Sequence, residues 1–452
     1  MSSSTNPTNA RSERYDVVVV GASFAGLTFA SVAATRGLRV LVLERDASVG
    51  GVVRTTGVLF SDVLDIVDVP QRYLMNSVRR MSIRPPNGRT IEIGAHAYRF
   101  YMADVTGMLR WMAEQAEDHG AEVRGGASFV DATREADGDM RIVYGAAAGD
   151  TSSGAGVDTD TAPAGPTVRR EVRARFLIGA DGTHSSVARR LGLDQNTRYL
   201  AGAEWLVEGV EIDRETFYLL MDHQLAPGYC LWLAPHSEIA ALGVAGHQRT
   251  FKPTESLEAA RTRFADVADL GAMRIVRRKG GVIPTGGRLR HVYRDDERGR
   301  VLLLGDAAGL CGAATGGGIY PALICGRLAA HAVANEVLNG ARGAVRSYLG
   351  DLGRAGGLGP YLRVEDWLRA AMDRVGSNAD MDAFYALFAS PAGHELLERT
   401  LFQTPILGMN SHFFRLLRGL VAHQPSLYGS ALRAAWDRML AAPRSRIATS
   451  DA

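Results

Sequence analysis

Residues 15–46 read YDVVVVGASFAGLTFASVAATRGLRVLVLERD, and this stretch constrains the fold more than any other. The β-branched run Val17–Val20 predicts a strand that breaks into a turn of small residues, Gly21-Ala22-Ser23-Phe24-Ala25-Gly26. A helical stretch then carries the chain to a second apolar strand ending at Glu44. Gly21 permits a sharp turn, and Gly26 lets helix and strand pack closely. The free amides at the helix start, with the helix dipole, favour a pyrophosphate there. Glu44 lies a little over the ~20 residues beyond the glycines at which a strand-terminal carboxylate meets ribose hydroxyls. The middle position of the GxGxxG-like pattern is Ser23, whose Cβ narrows the close approach that glycine allows. The strand before, the helix after and the terminal acid make the pattern an expectation of a dinucleotide site. A small-residue turn in an ordinary parallel sheet is the competing account.

At 452 residues the chain exceeds one ordinary core, and two or three domains of ~150 residues are expected. With 22% charged residues and a net charge of +2, it carries no nucleic-acid signature. Cys230, Cys311 and Cys325 show no paired spacing, so neither a zinc site nor a disulfide framework is expected, and a reducing cytoplasm fits. The N-terminus MSSSTNPTNARSERY lacks an apolar core of the signal-peptide kind, and no apolar run reaches the ~18 residues of a spanning helix. A soluble, cytoplasmic protein is expected, with residues 1–13 a disordered arm.

Further along, GGVVRTTG at 50–57 is a glycine-rich loop placed near the nucleotide, where Arg54 reaches a phosphate or stays solvated. MSIRPPNGRTIEI at 81–93 predicts a hairpin. Apolar spacing predicts a helix over 107–119 and then a strand at 121–123 that returns to the parallel sheet. Residues 145–167 have linker composition and are expected to form a flexible insertion. A strand at Phe176–Ile178 runs into GADG, placing Asp181 and Gly182 at a sheet edge where ligands bind, or in a plain Asp-Gly turn. Short apolar runs from Glu204 to Gly246 predict an antiparallel sheet. Val301–Leu304 is a buried strand ending in Gly305-Asp306, and Gly316-Gly317-Gly318 opens a helix with free amides. Beyond about 345 the chain reads as helical. Phe413, Leu416, Leu417, Leu420 and Val421, flanked by Arg415 and Arg418, form a stripe that caps the core or lies on a membrane surface.

These three strand-terminal motifs, GASFAG with Glu44, GADG at 179–182 and GDAAG at 305–309 with TGGGIY at 315–320, together resemble FAD-dependent oxidoreductases of the p-hydroxybenzoate hydroxylase type. SSVARRLG, the TGGGIYPALICGRLAA block and GYCLWLAP at 228–235 look most like the geranylgeranyl reductase family, over roughly residues 14–345. The resemblance implies an α/β protein with a discontinuous Rossmann-like FAD-binding domain (14–60, 106–200 and 295–345). It also implies an antiparallel-sheet substrate-binding domain (61–105 and 201–294) and a helical C-terminal region (346–452). It implies that Gly21, Ser23, Ala25 and Gly26 line the FAD pyrophosphate, that Glu44 holds the adenosine ribose and that Arg45 touches the adenine side. Asp181 and Gly182 belong to a motif associated with FAD and the nicotinamide donor. Gly305 and Asp306 bind the ribityl or pyrophosphate region, and the backbone of Gly316, Gly317, Gly318 and Ile319 faces the flavin pyrimidine ring. Departures are Val105 where an arginine often stands, no cysteine before Cys230, and a YxWxFP pattern present only as Tyr229, Trp232 and Pro235. Cys311 lies near the flavin or is a small buried residue.

The flavin carries the redox chemistry, so no catalytic side chain is demanded, and a single fingerprint implies that NAD(P)H binds transiently. The first reading is reduction of carbon-carbon double bonds in a small apolar, polyunsaturated substrate held near Tyr229 and Trp232. The second is monooxygenation of an aromatic or polyketide-like secondary metabolite, and the third is a non-redox protein using FAD structurally. A flavin-dependent halogenase is disfavoured, because that relative uses a lysine ahead of the substrate domain and here only Lys252 and Lys279 occur. His184 reads as a loop histidine, and no metal spacing is present.

Overall fold

The computed structural model describes residues 13–94, 99–147, 167–247, 251–352 and 358–402. Its first strand, β1 (Glu13–Val20), carries the valines 17–20, which are at most 5% exposed and lie in the middle of an eight-stranded sheet. Continuous β-branched residues suit a strand covered on both faces. Helix α1 (Phe24–Thr35) follows, then β2 (Val40–Leu43), which pairs parallel with β1 from Val17↔Val40 to Val20↔Leu43. The chain next forms β3 (Val58–Phe60), β4 (Leu74–Val78), β5 (Arg80–Arg84), β6 (Ile91–Gly94) and β7 (Phe100–Ala103). The β5–β6 hairpin falls where Pro85–Gly88 predicts it, with Ile83 opposite Ile91.

Helix α2 (Val105–Asp118) starts two residues earlier than its apolar spacing predicts, because Asp104 caps it by accepting from the Gly107 amide at 3.0 Å. Strand β8 (Glu122–Arg124) then returns to the parallel sheet beside β2. After β9 (Ser128–Arg134) and β10 (Met140–Ala147) comes the 13-residue β11 (Thr167–Gly179), followed by α3 (Ser186–Leu191). The expected insertion at 145–167 is thus shorter at both ends, since 145–147 and 167 pair in strands, and its interior lies outside the described residues. The expected arm likewise loses Glu13 to β1, and residues 1–12 are not described.

Strands β12 (Tyr199–Glu208), β13 (Thr216–Leu220), β14 (Leu231–His236) and β15 (Ile239–His247), with α4 (Pro253–Arg263) and β16 (Arg274–Pro284), build a second, seven-stranded sheet ordered β16-β12-β15-β14-β13-β5-β6. It is antiparallel except where β13 runs parallel to β5. Strands β17 (Tyr293–Asp296) and β18 (Gly299–Leu303) complete the first sheet, whose order is β17-β18-β11-β1-β2-β8, with β10 paired to β11 and β9 to β10. Strands β3, β7 and β4 form a small sheet of their own. Helix α5 (Ile319–Asn339) follows, and the described part of the C-terminal region is helical as expected: α6 (Ala344–Asp351), α7 (Leu358–Met372), α8 (Asn378–Ala386) and α9 (Pro391–Phe402). The stripe at 413–421 lies outside the described residues.

One apolar core links the first sheet, α1, α2, α5 and the C-terminal helices. A second core lies between α4 and the opposite face of the seven-stranded sheet, around Leu242, Leu257 and Phe264. Helices α1 and α5 approach closely through Gly326, where a Cβ would stand 2.6 Å from the Ala25 carbonyl. All three cysteines are free and buried. Among the described residues no helix is long and apolar enough to cross a membrane.

Candidate functional site

The three motifs leave the first sheet at one level. Val20 of β1 is in register with Gly179 of β11, and Gly179 with Leu303 of β18, so 21–26, 180–182 and 305–309 emerge side by side at the carboxyl ends of parallel strands. That edge is where open α/β sheets bind ligands.

Gly21 has φ of +102°, and a Cβ there would lie 2.5 Å from the Ala180 carbonyl; at Gly26 it would lie 2.1 Å from the Gly21 carbonyl. Both glycines are therefore dictated by contact between the first turn and its surroundings. Ser23 is the N-cap of α1: its Oγ accepts from the Gly26 amide at 3.3 Å and donates to the Ala180 carbonyl at 2.9 Å. The hydroxyl that departs from the glycine pattern thus ties the first turn to the second motif. Ala25 packs against Gly305, where a Cβ would meet the Ala25 methyl at 3.2 Å. Glu44 accepts from the Ala22 amide at 2.8 Å and the Asp46 amide at 3.0 Å, and burial pushes its carboxyl upward against those two bonds. Arg45 is exposed and pairs with Asp46 at 3.7 Å. Arg54 is exposed as well, with its backbone against Gly281 of β16.

Asp181 spends one oxygen on α3: Oδ2 accepts from the Ser186 amide at 2.6 Å, the Ser186 hydroxyl at 2.7 Å and the Val187 amide at 3.1 Å. Its Oδ1 is buried without a hydrogen-bond partner among the described residues. Gly182, at φ +79°, faces open space. Asp306 receives one long bond, from the Thr183 hydroxyl at 3.4 Å, and burial pushes its carboxyl up to about 6. The Asn196 side chain fixes the surrounding backbone by donating to the carbonyls of Asp306 at 2.8 Å and Thr183 at 3.1 Å. Gly318 lies against Asp306, where a Cβ would stand 3.1 Å from Oδ1.

The loop before α5 is closed on itself, with the Gly312 amide donating to the Gly317 carbonyl and the Gly316 amide to the Gly312 carbonyl. Two partners hold it from outside. The Tyr229 hydroxyl donates to the Thr315 carbonyl at 2.6 Å. From α7, Glu365 accepts from the amides of Ala314 and Thr315, both at 2.9 Å, and from the Thr315 hydroxyl at 3.0 Å. Side chains at Gly312 or Gly317 would collide with the Tyr361 hydroxyl, at 2.6 and 2.9 Å. Cys311 sits beside this loop, and burial, with Asp306 and Glu365 nearby, pushes its thiol well above the usual range. It packs there as a small buried residue.

Trp232 lies over β15, where a Cβ on Gly243 would come within 2.0 Å of its ring. Its Nε1 donates to Glu204 at 3.0 Å, and Glu204 also accepts from Thr56 at 2.7 Å and Lys279 at 3.1 Å. This buried cluster joins the seven-stranded sheet to the 50–57 loop, while Tyr229 joins the same sheet to the 312–318 loop. Val105, at the expected arginine position, is buried against Gly57, where a Cβ would lie 2.8 Å from it, so that wall is apolar. His184 is exposed and packs on Tyr199 with ring centres 4.9 Å apart. Among the described residues no cluster of His, Cys, Asp and Glu is arranged to hold a metal.

Thr183, Asn196, Glu204, Tyr361 and Glu365 do not stand out in the sequence reading. Glu365 had a readable mark: it interrupts an otherwise largely apolar buried stripe of α7 containing Leu358, Tyr361, Leu362 and Val364. The weakly bonded carboxylate of Asp306 and the remaining oxygen of Asp181, Oδ1, beside turns whose glycines keep the backbone bare, suit a ligand that carries both hydroxyl donors and a pyrophosphate.

A family model described as an FAD binding domain matches residues 14–323. Digeranylgeranylglycerophospholipid reductase 2 of Methanopyrus kandleri is 29% identical over 338 residues, covering 72% of this chain and 78% of its own. The structure of a geranylgeranyl bacteriochlorophyll reductase-like protein from Thermoplasma acidophilum is similar at a TM-score of 0.72 and 19% identity, covering 92% of this chain and 99% of that one. The anhydrotetracycline hydroxylase of Streptomyces rimosus is similar at a TM-score of 0.56 and 21% identity, covering 85% and 75%. Those two structural likenesses are of fold. With well over half its length matched and three motifs converging on one sheet edge, the chain belongs to the FAD binding domain family and is an FAD-dependent oxidoreductase.

Proposed function

We propose that the chain reduces carbon-carbon double bonds of an apolar, polyprenyl-type substrate, using electrons that NAD(P)H delivers transiently. FAD, when bound, supplies the two-electron carrier for that chemistry. The division into an FAD-binding part (14–60, 106–200, 295–345), a substrate-binding part (61–105, 201–294) and the helical tail belongs to the same proposal. In it the turn at Gly21, Ser23, Ala25 and Gly26 takes the pyrophosphate at the start of α1, with Arg54 available to a phosphate. Glu44 takes ribose hydroxyls and Arg45 lies on the adenine side. Asp306, with Gly305, accepts from the ribityl chain. Asp181 and Gly182 border the donor side, and the backbone of Gly316, Gly317, Gly318 and Ile319 borders the pyrimidine ring. The Gly316 and Gly317 amides are bonded within the loop, to the Gly312 carbonyl and the Thr315 hydroxyl, so the amides offered to the ring are those of Gly318 and Ile319.

The observation that carries the reading is the contact of Tyr229 with the 312–318 loop: it brings an apolar, aromatic sheet face against the proposed flavin edge. Trp232 on that face is held rigidly by Glu204, as suits a wall that positions an alkene and excludes water. The relatives named digeranylgeranylglycerophospholipid reductases support an isoprenoid lipid as the substrate class. Such a substrate would bring a cytoplasmic protein to the membrane surface.

The test is to reduce purified protein anaerobically with NADPH, add polyprenyl lipids or aromatic polyketides with and without oxygen, and weigh the products. A gain of two hydrogens without oxygen is expected. An oxygen-dependent gain of one oxygen atom would establish the monooxygenase instead, and FAD binding without NAD(P)H turnover would point to structural use.

A further inference from the structure

Glu365 is fully buried, and burying a carboxylate is costly unless its oxygens are hydrogen-bonded. All three of its described bonds come from one place, the loop that leads into α5. One of them is a relay. The Thr315 hydroxyl donates to Glu365 Oε1 at 3.0 Å and accepts from the Gly317 amide at 3.4 Å. The carboxylate on α7 is thereby linked through a single hydroxyl to the Gly316–Gly317 peptide, one residue ahead of Gly318, the N-cap of α5. Tyr361, one turn earlier on α7, closes the space over Gly312 and Gly317.

We propose that Glu365 is a positioning residue for the flavin, acting through Thr315 and the Gly317 amide to set the orientation of the Gly318 and Ile319 amides at the start of α5. Helix α7 packs on the core and lies beyond the residues matched by the family model, so in this proposal one helix of the tail also contributes to the cofactor site. The proposal rests on the loop facing the flavin, as in the function proposed above. Its mechanism is electrostatic and geometric: amides held in a fixed direction stabilise charge at the cofactor edge without reorganising, and a loosened loop loses both affinity and that bias.

The experiment uses full-length protein stripped of flavin and reconstituted with FAD. Three substitutions, Thr315→Val, Thr315→Ser and Glu365→Gln, are compared by dissociation constant, from flavin fluorescence, and by midpoint potential. Thr315→Val preserves shape and charge but removes the relay, so FAD binding weakens about tenfold or more and the potential becomes more negative. Thr315→Ser keeps the hydroxyl and stays within about twofold of the parent. Glu365→Gln weakens FAD by a similar factor to Thr315→Val; where it does not fold, the valine and serine pair decides alone. Thr315→Val with parental affinity and potential overturns the proposal, as does equal loss in the valine and serine variants. Failure of the unsubstituted protein to bind FAD would instead overturn the flavin assignment itself.

Discussion

Asp306→Asn should make the flavin-free protein more stable while weakening its hold on FAD. In the folded chain burial raises this carboxyl from 3.8 to about 6, with only the long Thr183 bond opposing it. A rise of that size is worth roughly 3 kcal/mol at ~1.36 kcal/mol per pH unit. The sign follows from linkage. Because the folded carboxyl binds its proton more tightly, the group destabilises the fold at pH values above about 6, and this penalty shrinks as pH falls through 6 and is gone below about 4. An asparagine of nearly equal size can still accept from Thr183 and carries no charge to desolvate. Melting of the flavin-free proteins from pH 4 to 8 should show Asp306→Asn more stable by ~2–3 kcal/mol at pH 8, with the gap closing toward pH 4. Added FAD should raise the melting temperature of the parent more than that of the variant, since a hydroxyl donated to a carboxylate is worth ~1.5–3 kcal/mol. A flavin-free variant that melts at or below the parent at pH 8, or a gap that does not change with pH, would refute the reasoning.

Glu204→Ala leaves the Lys279 ammonium, whose side chain is 10% exposed, without its partner and strips an acceptor from Trp232 and Thr56. Urea unfolding followed by tryptophan fluorescence should show a loss of ~3–5 kcal/mol, and the combined Glu204→Leu, Lys279→Met variant should lose less. Gly26→Ala puts a Cβ 2.1 Å from the Gly21 carbonyl and should yield no soluble, flavin-binding protein; Gly182→Ala meets no atom within 4 Å and should retain FAD absorbance at a cost of ~1 kcal/mol for its positive φ. Ser23→Ala removes the α1 cap and the bond to Ala180, so the melting temperature should fall in line with ~1 kcal/mol.

What was legible in the sequence is what local chemistry decides. A valine run, a glycine turn and a terminal acid dictate β1, α1, β2 and the position of Glu44, because each follows from residues within a few positions of it. The same local rules were readable for Ser23 and Asp104 as N-caps, three residues before Gly26 and Gly107, yet at Ser23 the glycine fingerprint obscured the cap. The parallel β13–β5 pair was not legible, because α2 and strands β8 to β11 of the first sheet intervene between the two, and nothing in either strand marks its partner.

Glu365 exposes the general limit. Its partners Ala314 and Thr315 lie about fifty residues earlier, so the site is completed by tertiary closure and not by any motif. A carboxylate in the buried stripe of an amphipathic helix nevertheless requires donors from elsewhere, and the donors most in need of a partner are backbone amides in tight glycine loops. Glu365 on α7 and the 312–318 loop satisfy that requirement mutually: each would be an unsatisfied polar group in the absence of the other. A costly buried acid on α7, outside the matched family segment, is therefore coupled to the conformation of the loop inside it.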